Sequence, residues 1–397
     1  MKKILGLTSI RSDYDLLSGV YTLLAREPGV DFRLLVAGTH LSANHGHTID
    51  MVRADGLPIL AEIESLIDGD APRSRAKSAG IFLQSACDAV ASWAPDLFIF
   101  AGDREDALMA AALGAYLQVP TVHFFGGDHE QDGHADTAAR HAISKLATAH
   151  VVATDEQRRR LRAMGESAHR IVVAGSVALD RFVAHRAPTP TELKQLLPPD
   201  KSLDGYALLI FHPVDAEREH AGEQFETILR QLRDRGIPVC ASYPNTDPGN
   251  ASIRNAMAKY EHEPDCWFFH NLAREPFLSV YKSASFLIGN SSSGILEAAS
   301  IPLPVVNVGL RQRGRAAGAN VVFCDADAQS IGDAIDGVRS EAFRAGIAGM
   351  ENPYGRGDSC RRAVRFLLET DFAAIRAKIE DPLTLTNPNE RTPGAGH

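Results

Sequence analysis

Short apolar runs recur at residues 4–8, 32–37, 59–62, 97–101, 121–124, 149–153 and 171–174, and stretches with helical spacing of apolar positions fill the gaps between them. Such strand–helix alternation predicts a parallel sheet covered by helices on both faces. The pattern dissolves between 183 and 204, where Pro188, Pro190, Pro198 and Pro199 interrupt it. It restarts with runs at 208–211, 238–242, 267–269, 286–288 and 304–308, separated by helical stretches such as 217–235. The expected architecture is α/β: two Rossmann-like, doubly wound domains, residues 1–185 and 204–355, facing each other across a cleft. A final helix from Ser359 to about Lys378, within the segment 356–380, is expected to pack back across that cleft. The tail 381–397, with three prolines and two glycines, reads as disordered.

Ligands of such sheets sit at the carboxyl ends of the strands, so the residues after each run carry the functional information. Ser9-Ile10-Arg11-Ser12-Asp13-Tyr14 follows the first run, Gly38-Thr39-His40-Leu41 the second and Gly102-Asp103-Arg104 the fourth. Phe125-Gly126-Gly127-Asp128 follows the fifth and Gly175-Ser176 the seventh. Five polar or glycine-bearing strand ends in one domain read as a cleft wall rather than as ordinary turns. In the second domain, Gly289-Asn290-Ser291-Ser292-Ser293-Gly294-Ile295-Leu296-Glu297 joins an apolar run to an Ala-rich, helix-like segment. Three hydroxyls and the free N–H groups of a first helical turn would converge there, where the helix dipole favours a diphosphate. Glu297, a turn further in, would repel phosphate but can grip a ribose diol by two hydrogen bonds. The competing explanation is an N-cap in a small-residue turn, which accounts for Asn290 and one serine.

Composition narrows the ligand. A chain of 397 residues is long enough for two domains of ordinary size. Its 41 basic and 50 acidic residues give a net charge of -9, which argues against nucleic acid or a membrane surface as the main partner. The five cysteines are odd in number, widely spaced and without a CxxC pair, as free thiols in a reducing cytoplasm would be. Met1-Lys2-Lys3 leads directly into the first run, with no signal peptide or membrane span, so a cytoplasmic protein is expected.

The order and spacing of Arg11-Ser12-Asp13-Tyr14, Gly38-Thr39-His40-Leu41, Gly102-Asp103-Arg104, Asp136 with Arg140-His141, His212-Pro213-Val214, the serine stretch through Glu297, and Arg311-Gln312-Arg313-Gly314-Arg315 resemble one known family. It is that of the hydrolysing UDP-N-acetylglucosamine 2-epimerases of sialic and legionaminic acid biosynthesis, and the likeness covers nearly the whole chain. The resemblance implies two Rossmann-like domains in the glycosyltransferase-B arrangement, a UDP-sugar substrate, no metal or redox cofactor, and a homodimer or homotetramer. The reaction it implies eliminates UDP across C1 and C2 to give a 2-acetamidoglycal. Water then adds with inversion at C2, releasing the free amino sugar.

That chemistry needs a desolvated carboxylate against a weakly acidic C2 proton and a second group to deliver water. It also needs cationic and N–H stabilisation of the departing diphosphate. By resemblance, Asp103 and Asp136 are the catalytic aspartates, and His212 contacts phosphate or transfers a proton. Arg11, Ser291 and Ser292 would meet the diphosphate, Glu297 the ribose, and Arg311 the cleft near the phosphates. Arg104, beside a strand end, offers a further bidentate phosphate contact. His40, Asn290, Ser293 and Gly294 complete the candidate binding residues by their places at strand ends. Each has a plainer explanation: a helix N-cap for Asp103, a surface helix start for Asp136, a backbone-satisfied core histidine for His212.

One departure stands out. Members of that family often carry a glutamate just before the double glycine after the fifth strand, where this chain has Phe125. Either Asp128, Glu130 or Asp132 in the following loop reaches the same place, with Asp128 the catalytic candidate among them, or the second half-reaction is altered. Alternatively the phenyl ring packs against a 6-deoxy methyl group, as in 2,4-diacetamido-trideoxy sugars. Other classes remain open: a glycosyltransferase with the same diphosphate site, a non-hydrolysing epimerase, a nucleotide-sugar sensor, or a metallohydrolase using His123, His129, His134 and His141 with Asp128 and Glu130. The histidine spacing fits no compact ligand set.

Overall fold

The computed structural model describes residues 1–69, 72–129, 135–214, 217–244, 249–270 and 272–385. Glu130, Asp132, His134, most of the tail 381–397 and the Asn245 strand end therefore lie outside the described residues. The described residues form two compact units, one of residues 1–129, 135–180 and 357–385, the other of residues within 181–356.

The first unit is built on seven parallel strands: β1 (Lys2–Thr8), β2 (Val30–Ala37), β3 (Ile59–Ile63), β4 (Leu97–Ala101), β5 (Thr121–Phe124), β6 (Ala149–Val152) and β7 (Ile171–Val173). Their spatial order is β3-β2-β1-β4-β5-β6-β7. The second carries six: β8 (Ala207–Ile210), β9 (Val239–Ser242), β10 (Cys266–Phe269), β11 (Phe286–Gly289), β12 (Val305–Val308) and β13 (Val321–Cys324), in the order β10-β9-β8-β11-β12-β13. Both orders are the doubly wound Rossmann order, with a topological switch point between β1 and β4 and again between β8 and β11. The central strands are buried along their lengths because helices cover both faces, which is why they read as continuous apolar runs.

Three elements differ from expectation. The proline-bearing stretch belongs to the second unit and contains the helix Pro190–Leu196. Thr189 caps it, Glu192 returns the bond to the Thr189 N–H at 2.7 Å, and Pro190 sits in the first turn, where a missing N–H costs nothing. β13 was not expected; its four residues pair with β12 at the sheet edge. The helix expected from Ser359 to about Lys378 ends at Glu369, and a further short helix, Pro382–Leu385, forms at the start of the tail. Between them the carbonyls of Ile375 and Ala377 accept from the buried Arg170, so they have partners without a helix. This helix, Ser359–Glu369, lies against the helix Arg11–Arg26 of the first unit, with Cys360, Ala363, Val364 and Leu367 in one core with Leu17, Val20 and Leu24.

Candidate active site

At the β1/β4 switch point, Ser9, Ser12, Asp13, Gly102, Asp103 and Arg104 line a cavity of about 80 Å³. Asp103 leaves β4 on Gly102, whose φ of 85° turns the chain sharply. Its carboxylate is ion-paired with Arg140, only 7% exposed, on the helix Ala135–Leu146. His123 supports the turn from below: it is fully buried, with Nε2 2.7 Å from the Gly102 carbonyl and Nδ1 3.0 Å from the Ser144 hydroxyl. Burial holds its pKa down to about 3, so the ring is neutral.

Asp136 lies one turn before Arg140 on the same helix, is partly exposed, and accepts from Arg75 at 2.9 Å. Arg75 also grips Glu105 at 2.6 Å, so Asp136 and the strand end carrying Asp103 are joined through one arginine. Arg104 is the N-cap residue of the helix Glu105–Leu117, and its Nε is enclosed without a hydrogen-bond partner among the described residues. Arg11 is exposed and 3.7 Å from Asp15. The partly buried Asp128 accepts from the His129 N–H beside it at 3.1 Å.

His40 is not an open contact. It is 1% exposed, with Nε2 2.9 Å from the Thr8 hydroxyl and Nδ1 2.7 Å from the Thr48 hydroxyl, and burial pushes its pKa down to about 4. It supports the site from inside the fold. Asp13, in the stretch Arg11-Ser12-Asp13-Tyr14, also lines the cavity. Burial pushes its carboxyl up to about 6 against the pull of hydrogen bonds from Thr8, Ser9 and Ile10. A carboxylate with alternating neighbours Ser12 and Tyr14 looks like any helix-start aspartate in sequence, so the signal was hidden.

At the β8/β11 switch point stands the serine turn. Gly289 has φ 128°, and a Cβ there would come within 2.1 Å of the Ile210 carbonyl, so only glycine lets β11 run this close to β8. The helix that follows is a single turn, Ser293–Leu296, before a 3-10 turn at Ala298–Ser300, shorter than the expected helix. Asn290 is not free for a ligand. It is 1% exposed and clamps the β8 exit, with Oδ1 accepting the His212 N–H at 2.8 Å and Nδ2 donating to the His212 carbonyl at 2.8 Å. Its own carbonyl accepts from Arg311 and from the buried Gln312, each at 3.2 Å.

His212, Asn290, the serines and Arg311 are thus brought together, and Gln312 joins them unforeseen. The Ser291 and Ser293 hydroxyls lie 3.0 Å apart, and Tyr281 donates to the Ser293 carbonyl at 2.8 Å. Gly294 packs against Val305 and Leu287, where a Cβ would press at 3.0 and 3.1 Å. Glu297 is partly buried, and burial pushes its carboxyl up to about 7, with Arg274 opposing.

A metal site from the histidine group finds no support among the described residues, where no three His, Cys, Asp or Glu side chains gather around one point. Among them, too, no helix is long and apolar enough to cross a membrane.

Two parallel α/β units, each with its polar residues at the switch point, make this a glycosyltransferase-B-like fold. The crystal structure of the UDP-GlcNAc 2-epimerase of Neisseria meningitidis bound to UDP-GlcNAc superposes with a TM-score of 0.80 over 93% of this chain and 100% of that one, at 16% identity. The Methanocaldococcus jannaschii enzyme in complex with UDP-GlcNAc and UDP superposes with a TM-score of 0.75, again over 93% and 100%, at 16% identity. In sequence, the chain is 34% identical over 369 residues, 92% of its length and 96% of the relative's, to the UDP-N,N'-diacetylbacillosamine 2-epimerase (hydrolyzing) of Legionella pneumophila. It is 30% identical, over 92% and 94%, to the UDP-N-acetylglucosamine 2-epimerase of N. meningitidis. The family model for UDP-N-acetylglucosamine 2-epimerase matches residues 22–368. This chain belongs to the UDP-N-acetylglucosamine 2-epimerase family.

Proposed function

We propose that the protein is a hydrolysing 2-epimerase that takes a UDP-2,4-diacetamido-trideoxyhexose, or UDP-N-acetylglucosamine, and releases UDP and the C2-inverted free amino sugar. The observation that carries the reading is Asp103, placed at the β1/β4 switch point, lining a cavity and ion-paired with a buried arginine. A carboxylate so oriented is suited to take the C2 proton. The C2–H and C1–O bonds break, a C1=C2 double bond forms, and UDP leaves with the electron pair. Water then gives its hydroxyl to C1 while C2 gains a proton on the opposite face. Asp136 is the second acid–base group in this scheme, with Asp128 as the alternate.

The diphosphate is assigned to Ser291, Ser292, Ser293 and Arg311, with Arg11 and Arg104 from the first unit, and the phosphate-side proton or contact to His212. Glu297 is assigned to the ribose. The 6-deoxy substrate is favoured by the Legionella relative, which is named for diacetylbacillosamine and hydrolysis, and by the apolar Phe125.

Incubation with each sugar nucleotide in deuterated water tests the reading. Free amino sugar carrying deuterium at C2, with stoichiometric UDP, is the expected product. Recovery of an epimerised UDP-sugar instead would make the enzyme non-hydrolysing. Release of UDP without deuterium at C2 would refute proton abstraction.

A further inference from the structure

Four hydrogen bonds converge on the carboxylate of Asp13. The Thr8 hydroxyl donates to Oδ1, while the Ser9 N–H, the Ser9 hydroxyl and the Ile10 N–H reach Oδ2 at 2.9, 3.0 and 3.2 Å. A residue in the first turn of a helix ordinarily reaches back to the N-cap N–H alone. Here the N-cap is Ile10, which has no side-chain acceptor, and Asp13 reaches past it to both polar groups of Ser9. Its bonds therefore restrain the β1 exit more than the helix. Ser9 is a node in its own right, since its carbonyl accepts the Thr39 N–H at 2.9 Å and the Thr39 hydroxyl at 3.1 Å.

The clamp has a backing. Thr8 stands between Asp13 and His40, and its hydroxyl has one proton. When Thr8 donates to Asp13, His40 must present Nε2–H to Thr8 and accept the Thr48 hydroxyl at Nδ1. The neutral, buried ring thus fixes the direction of the chain Thr48, His40, Thr8, Asp13 without itself changing charge. The cavity that Asp13 lines also contains Ser12 and Asp103.

We propose that Asp13 is a positioning residue of the sugar-nucleotide site: its carboxylate, braced by Thr8 and His40, fixes the backbone that presents Arg11 and Ser12 beside Asp103. The role rests on the UDP-sugar reading above, in which Arg11 meets the diphosphate and Asp103 does the chemistry. Asp13 acts through its neighbours and moves no proton in the reaction. An amide can replace it: its oxygen accepts the Ser9 and Ile10 N–H groups, and its NH₂ donates to Thr8, which then turns its proton to His40.

Asp13→Ala and Asp13→Asn separate this from the alternatives, with folding checked by circular dichroism. Backbone amide exchange over residues 8–12, measured without substrate, should rise about tenfold in Asp13→Ala and stay within about threefold of wild type in Asp13→Asn. KM for the sugar nucleotide should rise about tenfold in Asp13→Ala with kcat little changed, and Asp13→Asn should recover it. Wild-type exchange rates in Asp13→Ala would overturn the clamp. Loss of kcat in Asp13→Asn at unchanged KM would overturn it too, by making Asp13 an acid–base group. If Asp13→Ala does not fold, exchange in Thr8→Val, which keeps the Ser9 and Ile10 bonds, replaces it: faster exchange at Ser9 is expected, and none overturns the bracing. A wild type that releases no UDP would sink the hydrolase reading, while the exchange data would still decide the clamp.

Discussion

Asn290→Ala tests how the second unit is held together at its switch point. The side chain makes two hydrogen bonds of 2.8 Å, one to each backbone group of His212, in a place where the asparagine itself is 1% exposed. Each neutral hydrogen bond is worth about 1 kcal/mol net, but a partner left enclosed and unpaired costs about 1–3 kcal/mol. With water able to reach the partly exposed His212, a total of about 2–4 kcal/mol is expected. For a unit of this size that is a fall in Tm of roughly 4–16 °C. The β8 exit would also lose its fixed geometry, so UDP binding should weaken by about tenfold or more, since 1.4 kcal/mol is a factor of ten. Differential scanning calorimetry with and without UDP, and titration calorimetry of UDP, read both effects. A variant that melts within 2 °C of wild type and binds UDP equally well would refute the idea that Asn290 acts as a clamp on His212.

Two further outcomes are expected. Glu297 has its folded-state pKa raised to about 7 from 4.5, chiefly by burial, so the folded protein holds its proton where the unfolded chain has lost it. Its contribution to stability is complete below pH 4.5 and is lost as pH rises through about 7. Glu297→Gln should therefore flatten the fall in Tm between pH 5 and pH 8, and an unchanged slope would show the dependence to lie elsewhere. At Phe125, which adopts φ 64° and packs partly against the core of the first unit, Phe125→Glu should cost about tenfold in kcat/KM for the 6-deoxy substrate relative to UDP-N-acetylglucosamine. Competition kinetics with both sugars would show no change if the ring does not meet the sugar.

The strands were legible because parallel strands buried on both faces leave uninterrupted apolar runs, and β4 and β5 fall where the runs at 97–101 and 121–124 put them. Strand ends were legible for a related reason: a doubly wound sheet places its ligand groups there whatever the ligand, so Asp103, His212 and the serines could be picked out one by one. Pairwise partners were not. That Arg140 would close on Asp103, that Arg75 would tie Asp136 to Glu105, and that Gln312 would donate to the Asn290 carbonyl depends on residues far apart in the chain. Neither the length of the helix after the serines nor the end of the helix Ser359–Glu369 followed from local pattern, because tertiary hydrogen bonds compete with helical ones for the same carbonyls.

The sequence by itself determined the layered α/β fold, the family and the set of polar side chains gathered at the strand ends. Which of those side chains stay open to a ligand was decided by the tertiary structure alone. His40 and Asn290 carry the same polar groups as an exposed contact would, and only the packing around them shows that those groups are already engaged, since desolvation and pairing are properties of the surroundings rather than of the residue.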